Sequence, residues 1–199
     1  SVSGATWGIK AILSPTGAEN PGIAGDKPFV VTEKKDLPDE AALTLAFKDD
    51  AGGHALTERI VMRRDDPAIR WTVDQTLGPN SSRARLYFHA NLLLGAEVKR
   101  GVIFAGGGED GFRAVAYEFA KRKGIEFERP VKWGAVIEPE TRMVLLAVAN
   151  KEYRHLRFWN DMNNYNLEFG SDDAPDAANS RMQGELALYL LAGFSNLNF

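Results

Sequence analysis

A carboxylate, an imidazole and a run of amides among aromatics are the residues of this sequence that could do chemistry together. The carboxylate is Glu168, in Asn166-Leu167-Glu168-Phe169-Gly170-Ser171-Asp172-Asp173-Ala174-Pro175-Asp176-Ala177-Ala178-Asn179. The imidazole is His89, in Tyr87-Phe88-His89-Ala90-Asn91-Leu92. A carboxylate within hydrogen-bond reach of a hydroxyl can take its proton, and an imidazole can supply one. Between them lies Arg157-Phe158-Trp159-Asn160-Asp161-Met162-Asn163-Asn164-Tyr165, preceded by His155. Asn amides both donate and accept hydrogen bonds and so suit vicinal hydroxyls. An aromatic such as Trp159 offers a flat apolar face with a polar tip. Trp159, Asn163, Asp176, His155 and Arg157 are the candidate substrate-binding set. Glu168 and His89 are the candidate catalytic pair.

Each of these has a plainer reading. Glu168 is equally a solvent-facing residue near the end of a strand, and His89 sits among aromatics and leucines as a core or edge histidine would. Trp133, Trp159, Tyr153 and Tyr165 offer faces that could stack on a sugar ring and equally read as core anchors, the favoured reading because large aromatics dominate burial. Asp172, Asp173 and Asp176 do not match a twelve-residue calcium loop and read as a solvated acidic loop. Gly106-Gly107-Gly108-Glu109-Asp110-Gly111 lacks the Lys-Ser/Thr of a phosphate loop and reads as a flexible turn. The sequence has no Cys, which excludes disulfides, zinc-thiolate sites and thiol nucleophiles. No metal site and no cofactor is expected.

The elements that must position these residues read as strands. Leu43, Leu45 and Phe47 alternate with Thr44, Ala46 and Lys48. Asp49-Asp50-Ala51-Gly52-Gly53 then makes a turn, and Ala55–Arg64 puts Ile60 and Met62 on one face. Asp65-Asp66-Pro67 makes another turn before Ile69–Leu77, where Ile69, Trp71 and Val73 oppose Arg70, Thr72 and Asp74. Period-two alternation with turns at hairpin spacing predicts an antiparallel sheet. Further strands are expected at Ala5–Leu13, Phe29–Thr32, Ala84–Leu94, Val102–Ala105, Val131–Ile137, Arg142–Ala149, Arg154–Trp159, Tyr165–Phe169 and Glu185–Leu191. Ser14–Lys27 and Asp172–Asn179 read as loops. Phe112–Lys123 carries apolar residues at helical spacing, with Asp110 as a cap and Gly124 as a stop; it also alternates tolerably as a strand, and is read as helix or irregular. The expectation is an all-β, mainly antiparallel fold of two packed sheets with at most one short helix.

Composition sets the outer bounds. The chain has 199 residues, 44% hydrophobic and 26% charged, enough for one domain spanning 1–199 with its own core. Net charge is −3, with basic and acidic residues interspersed, which argues against a nucleic-acid surface and a polybasic membrane anchor. No apolar run reaches the roughly 18–20 residues of a spanning helix, so this segment is not expected to insert in a membrane. The compartment stays open between cytoplasmic and periplasmic or secreted, and the oligomeric state is open too. Either chain end could be a boundary within a longer protein.

The segment from Leu167-Glu168 to Pro175-Asp176-Ala177-Ala178-Asn179, followed by the strand Glu185–Leu191, resembles the C-terminal part of the galactose-mutarotase (aldose 1-epimerase) superfamily. The resemblance covers roughly the last 70 residues, an estimate of motif span. It implies a galactose-mutarotase-like β-supersandwich, a carbohydrate ligand and a cofactor-independent isomerase in which Glu168 takes the proton of the anomeric hydroxyl. His89 would then protonate the ring oxygen. In the family that histidine precedes the aromatic pair, whereas here it follows Tyr87-Phe88, and a shift of one position along a strand reverses the facing side. The family's second histidine has no match. A second likeness, to the large periplasmic domain of the membrane-protein insertase family, rests on Val131–Ile137, Arg142–Ala149 and Glu185–Gly193. It implies the same fold with no sugar chemistry, as a non-catalytic interaction domain of a larger envelope protein.

Overall fold

The computed structural model describes residues 7–15, 22–23, 30–49, 53–79, 81–93, 102–108, 111–117, 125–127, 130–138, 142–153, 155–161, 164–170, 174–175 and 181–192. Every regular element among them is a strand. In chain order these are β1 (Trp7–Pro15), β2 (Gly22–Ile23), β3 (Val30–Asp36), β4 (Glu40–Asp49), β5 (His54–Arg63), β6 (Asp66–Thr76), β7 (Ser81–Leu93) and β8 (Val102–Gly108). They continue as β9 (Gly111–Tyr117), β10 (Ile125–Phe127), β11 (Val131–Glu138), β12 (Met143–Tyr153), β13 (His155–Asp161), β14 (Asn164–Gly170), β15 (Ala174–Pro175) and β16 (Arg181–Ala192). The pairings of β11 with β12, β13 with β14, β4 with β5 and β5 with β6 are antiparallel, as the alternating sequence predicts.

Contacts divide the chain into two compact units. One comprises Ser1–Ile9, Phe88–Gly170 and Leu188–Phe199, and the other Lys10–Tyr87 and Ser171–Ala187.

In the first unit β9, β8, β11 and β12 form a meander, each strand hydrogen-bonded to the next. A second sheet brings β10, β13 and β14 side by side. The two sheets meet through their apolar faces. Phe104 of β8 stacks on Phe158 of β13 with ring centroids 4.5 Å apart, and Phe127 of β10 meets Phe158 edge-on. Ala135, Ile137 and Val144 form a buried cluster, against which Ala114, Trp133, Leu146 and Leu191 pack. The close approach of the sheets is made at glycine. Gly106 of β8 is the register partner of Gly134 of β11. A Cβ on Gly106 would lie 2.5 Å from Leu156 Cδ2, and one on Gly134 would lie 2.9 Å from both Leu156 methyls. The Leu156 side chain of β13 is therefore seated on a glycine pair shared by two neighbouring strands.

Two local expectations change here. Gly106–Gly108 belong to β8, between β9 and β11, and only Glu109 and Asp110 separate it from β9. Gly108 pairs with Gly111, whose φ of +99° is open to glycine and rarely to other residues. The segment expected as helix or irregular begins as a strand, since Gly111–Tyr117 pairs with β8 along its whole length. Sheet hydrogen bonds to β8 satisfy that backbone and override the weak helical spacing. Residues 118–124 lie outside the described residues.

In the second unit β3, β4, β5 and β6 form another meander. Leu43, Leu45 and Phe47 share a face with Leu56, Glu58 and Ile60 and with Trp71, Val73 and Gln75. The opposite face carries charged residues that pair with one another, beside the buried Ala42–Val61 pair. Glu40 accepts from Lys35 Nζ at 2.8 Å and Arg63 Nε at 2.9 Å. Arg70 bridges Asp66 and Glu185, and Arg181 grips Asp74 through two nitrogens. Met62, expected on the apolar face with Ile60, is 52% exposed, near the end of β5 where pairing with β6 shifts register. Within the expected loops, Gly22–Ile23 pairs with β1 and Ala174–Pro175 pairs with β7.

Candidate functional site

Glu168 lies on β14 between Leu167 and Phe169, both fully buried, so alternation turns its carboxylate to the outer face of the sheet, where it is half-buried. Its register partner on β13 is Arg157, and the register partner of Arg157 on β10 is Glu126. Directly opposed residues of an antiparallel pair carry their Cβ atoms about 4.5–5.5 Å apart on one face. An acid–base–acid row, Glu126, Arg157 and Glu168, thus crosses three strands, with Arg157 and Glu126 exposed. Leu156 and Phe158, the neighbours of Arg157, point into the core.

The same register orders the other candidates on these strands. His155 pairs with Gly170, Trp159 with Asn166, and Asp161 with Asn164. Positions 155, 157, 159 and 161 are two residues apart, so the backbone puts them on one face together with positions 164, 166 and 168. The sequence-predicted residues His155, Arg157, Trp159 and Glu168 therefore share a strip two strands wide. Asn166, missed in the sequence reading, joins them as the partner of Trp159; only a strand register could have revealed it.

His89 lies on β7, the strand hydrogen-bonded to β14. Phe88 is fully buried, edge-on to Tyr153, which is edge-on to Phe169. Phe88 and Phe169 thus share the inner side, and alternation assigns position 89 to the side carrying Glu168. Asn163 and Asp176 lie outside the described residues. Among the described residues no three His, Asp or Glu side chains are grouped to hold a metal ion, and no helix is long and apolar enough to cross a membrane.

No family model and no curated protein matches the chain. Solved structures do. The chain is similar to a candidate mutarotase (YeaD) from Salmonella typhimurium, with 12% identity, 94% of this chain and 74% of that one covered, and a TM-score of 0.64. It is similar to a candidate aldose 1-epimerase from Escherichia coli K12, with 9% identity, coverage of 83% and 69%, and a TM-score of 0.56. It is also similar to the alpha-galactosidase from Lactobacillus brevis, with 12% identity, coverage of 92% and 29%, and a TM-score of 0.57. Identities this low speak to architecture alone, and on architecture they agree with the strand order: the chain has the galactose-mutarotase-like all-β fold.

Proposed function

We propose that this chain is a carbohydrate-recognising domain whose site is the outer face of β13 and β14, and that Glu168 there takes the proton of an anomeric hydroxyl. The observation that carries the reading is the strip itself. A half-buried carboxylate stands opposite Arg157, with the Trp159–Asn166 pair next along the strands and position 89 on the same side one strand away. Proton transfer from the anomeric hydroxyl to Glu168 would let the bond between the anomeric carbon and the ring oxygen break. Protonation of that oxygen, for which His89 is the candidate, completes the opening. Reclosure on the other face of the aldehyde gives the second anomer and returns both protons, so no cofactor is consumed.

The test is a monosaccharide titration followed by calorimetry, with polarimetric mutarotation as the activity measurement, on the natural chain and Glu168→Gln. The expected outcome is weaker binding and loss of turnover by about 100-fold or more, the scale of a general base. Circular dichroism should be unchanged. Unaltered binding and unaltered turnover in Glu168→Gln would remove the carboxylate from the site.

A second reading has its own support. The fold spans only 29% of the alpha-galactosidase chain, so it also serves as one part of a larger protein. A non-catalytic interaction domain of an envelope protein fits that use, and it is the reading left if no monosaccharide binds.

A further inference from the structure

Glu58 is the buried acidic side chain among the described residues of the second unit, and the proposed carbohydrate site leaves it unused. It lies in the middle of β5 and is 6% exposed. Its register partners are Leu45 on β4 and Val73 on β6. The diagonal positions on the same face are Leu43 and Phe47 on β4, and Trp71 and Gln75 on β6. No other charged group is among them: Arg59, Arg63, Arg70 and Asp74 sit at alternate positions, on the opposite face. Beyond β6, the residues of β16 on the buried side are Gly184 and Leu186. Among the described residues Glu58 makes no hydrogen bond or ion pair. A charged carboxylate in such surroundings is strongly disfavoured.

Gln75 supplies the second observation. It is 1% exposed, and among the described residues both its amide nitrogen and its amide oxygen lack a hydrogen-bond partner. Leu56 is its register partner, so Gln75 is diagonal to Glu58 at a separation that long side chains span. A buried amide with neither end satisfied is costly and rare. A neutral carboxyl carries one donor and one acceptor, the complement of a carboxamide.

We propose that Glu58 and Gln75 form a protonation-dependent latch inside the β4–β5–β6 meander: the neutral carboxyl closes on the amide, and the carboxylate, having lost its donor, releases it. Burial pushes the Glu58 carboxyl up from 4.5 to about 7, which brings the change into the neutral range. The closed latch is therefore fully present below the ordinary carboxyl value of 4.5. It weakens as the pH rises and is lost once the pH has passed through about 7. The device concerns the stability of this unit and is independent of the carbohydrate reading.

The primary test is carbon-13 NMR of Glu carboxyl groups in the natural chain. One resonance should titrate near neutrality and be absent from Glu58→Gln. A Glu58 resonance titrating in the usual carboxylate range would overturn the latch. The second measurement is a double-mutant cycle of Glu58→Leu and Gln75→Leu, read by urea unfolding. The coupling should be on the order of tenfold in the folding constant at acidic pH and absent at alkaline pH. Equal coupling at both pH values, or none at either, would overturn it too. The NMR titration needs only the near-isosteric Glu58→Gln to fold, so a Glu58 resonance in the usual carboxylate range overturns the latch even if the leucine variants do not fold.

Discussion

Tyr153 illustrates how a single residue's role is settled by its surroundings. In the sequence it was a candidate either for sugar stacking or for the core. It is 1% exposed, with Phe88 and Phe169 edge-on to it and the Lys151 ammonium 5.5 Å from its ring centre. Among the described residues its hydroxyl has no hydrogen-bond partner, and burial pushes its ionisation well above the usual tyrosine range. The ring anchors the core while the hydroxyl is a cost. Tyr153→Phe keeps the ring and removes the orphaned oxygen, so it is expected to raise stability by about 1 kcal/mol. A rise in urea midpoint with unchanged slope checks this, and a fall would mean that the hydroxyl has a partner. Glu168 is singled out in the sequence by a motif of residue types, as a candidate only. Its partnership with Arg157 and Glu126 was not legible there, since register depends on which strands are neighbours.

Strands were legible where side chains alternate. Glu40–Asp49, His54–Arg63 and Asp66–Thr76 announce themselves by apolar residues at alternate positions, interrupted only by Glu58 and Gln75. Gly106–Gly108 carries no side chains to alternate, so its strand was read as a turn, and its identity comes from β9 and β11 on either side. The reason for glycine there is equally non-local, because Leu156 comes from the facing sheet. Gly134→Ala is expected to destabilise by roughly 1–3 kcal/mol, the range for overpacking a filled core. The neighbour that must give way is fully buried, and Leu167 Cδ1 stands 3.2 Å from the new methyl as well. Leu156→Ala alone should cost about 2–5 kcal/mol. Combined with Gly134→Ala, the penalties should sum to less than their separate values, because the truncated side chain vacates the space the methyl needs. Additive penalties in urea unfolding would show that Leu156 and Gly134 do not share that space.

For the molecule as a whole, pH response combines two groups of carboxylates whose energies differ in origin. On the polar face, hydrogen bonds from Lys35 and then Arg63 hold Glu40 down to about 2. The backbone amide of Ala68 and then Arg70 lower Asp66, and Arg181 and then Gln183 lower Asp74. These depressed groups give stability that is present above their unfolded values and is lost as the pH falls, for Glu40 through about 2. Glu58 acts in the other direction, weakening the fold as the pH climbs from 4.5 through about 7. Stability should therefore peak on the acid side of neutrality, near pH 5 by this reasoning. Salt separates the limbs. The polar-face pairs are partly exposed, so raising ionic strength to ~0.5 M should weaken the acid limb by screening. The alkaline limb comes from desolvation of a buried carboxyl and should keep its slope. Urea midpoints measured across pH at low and high salt give both limbs at once. An alkaline limb that salt abolishes would assign it to surface repulsion and remove Glu58 as its cause.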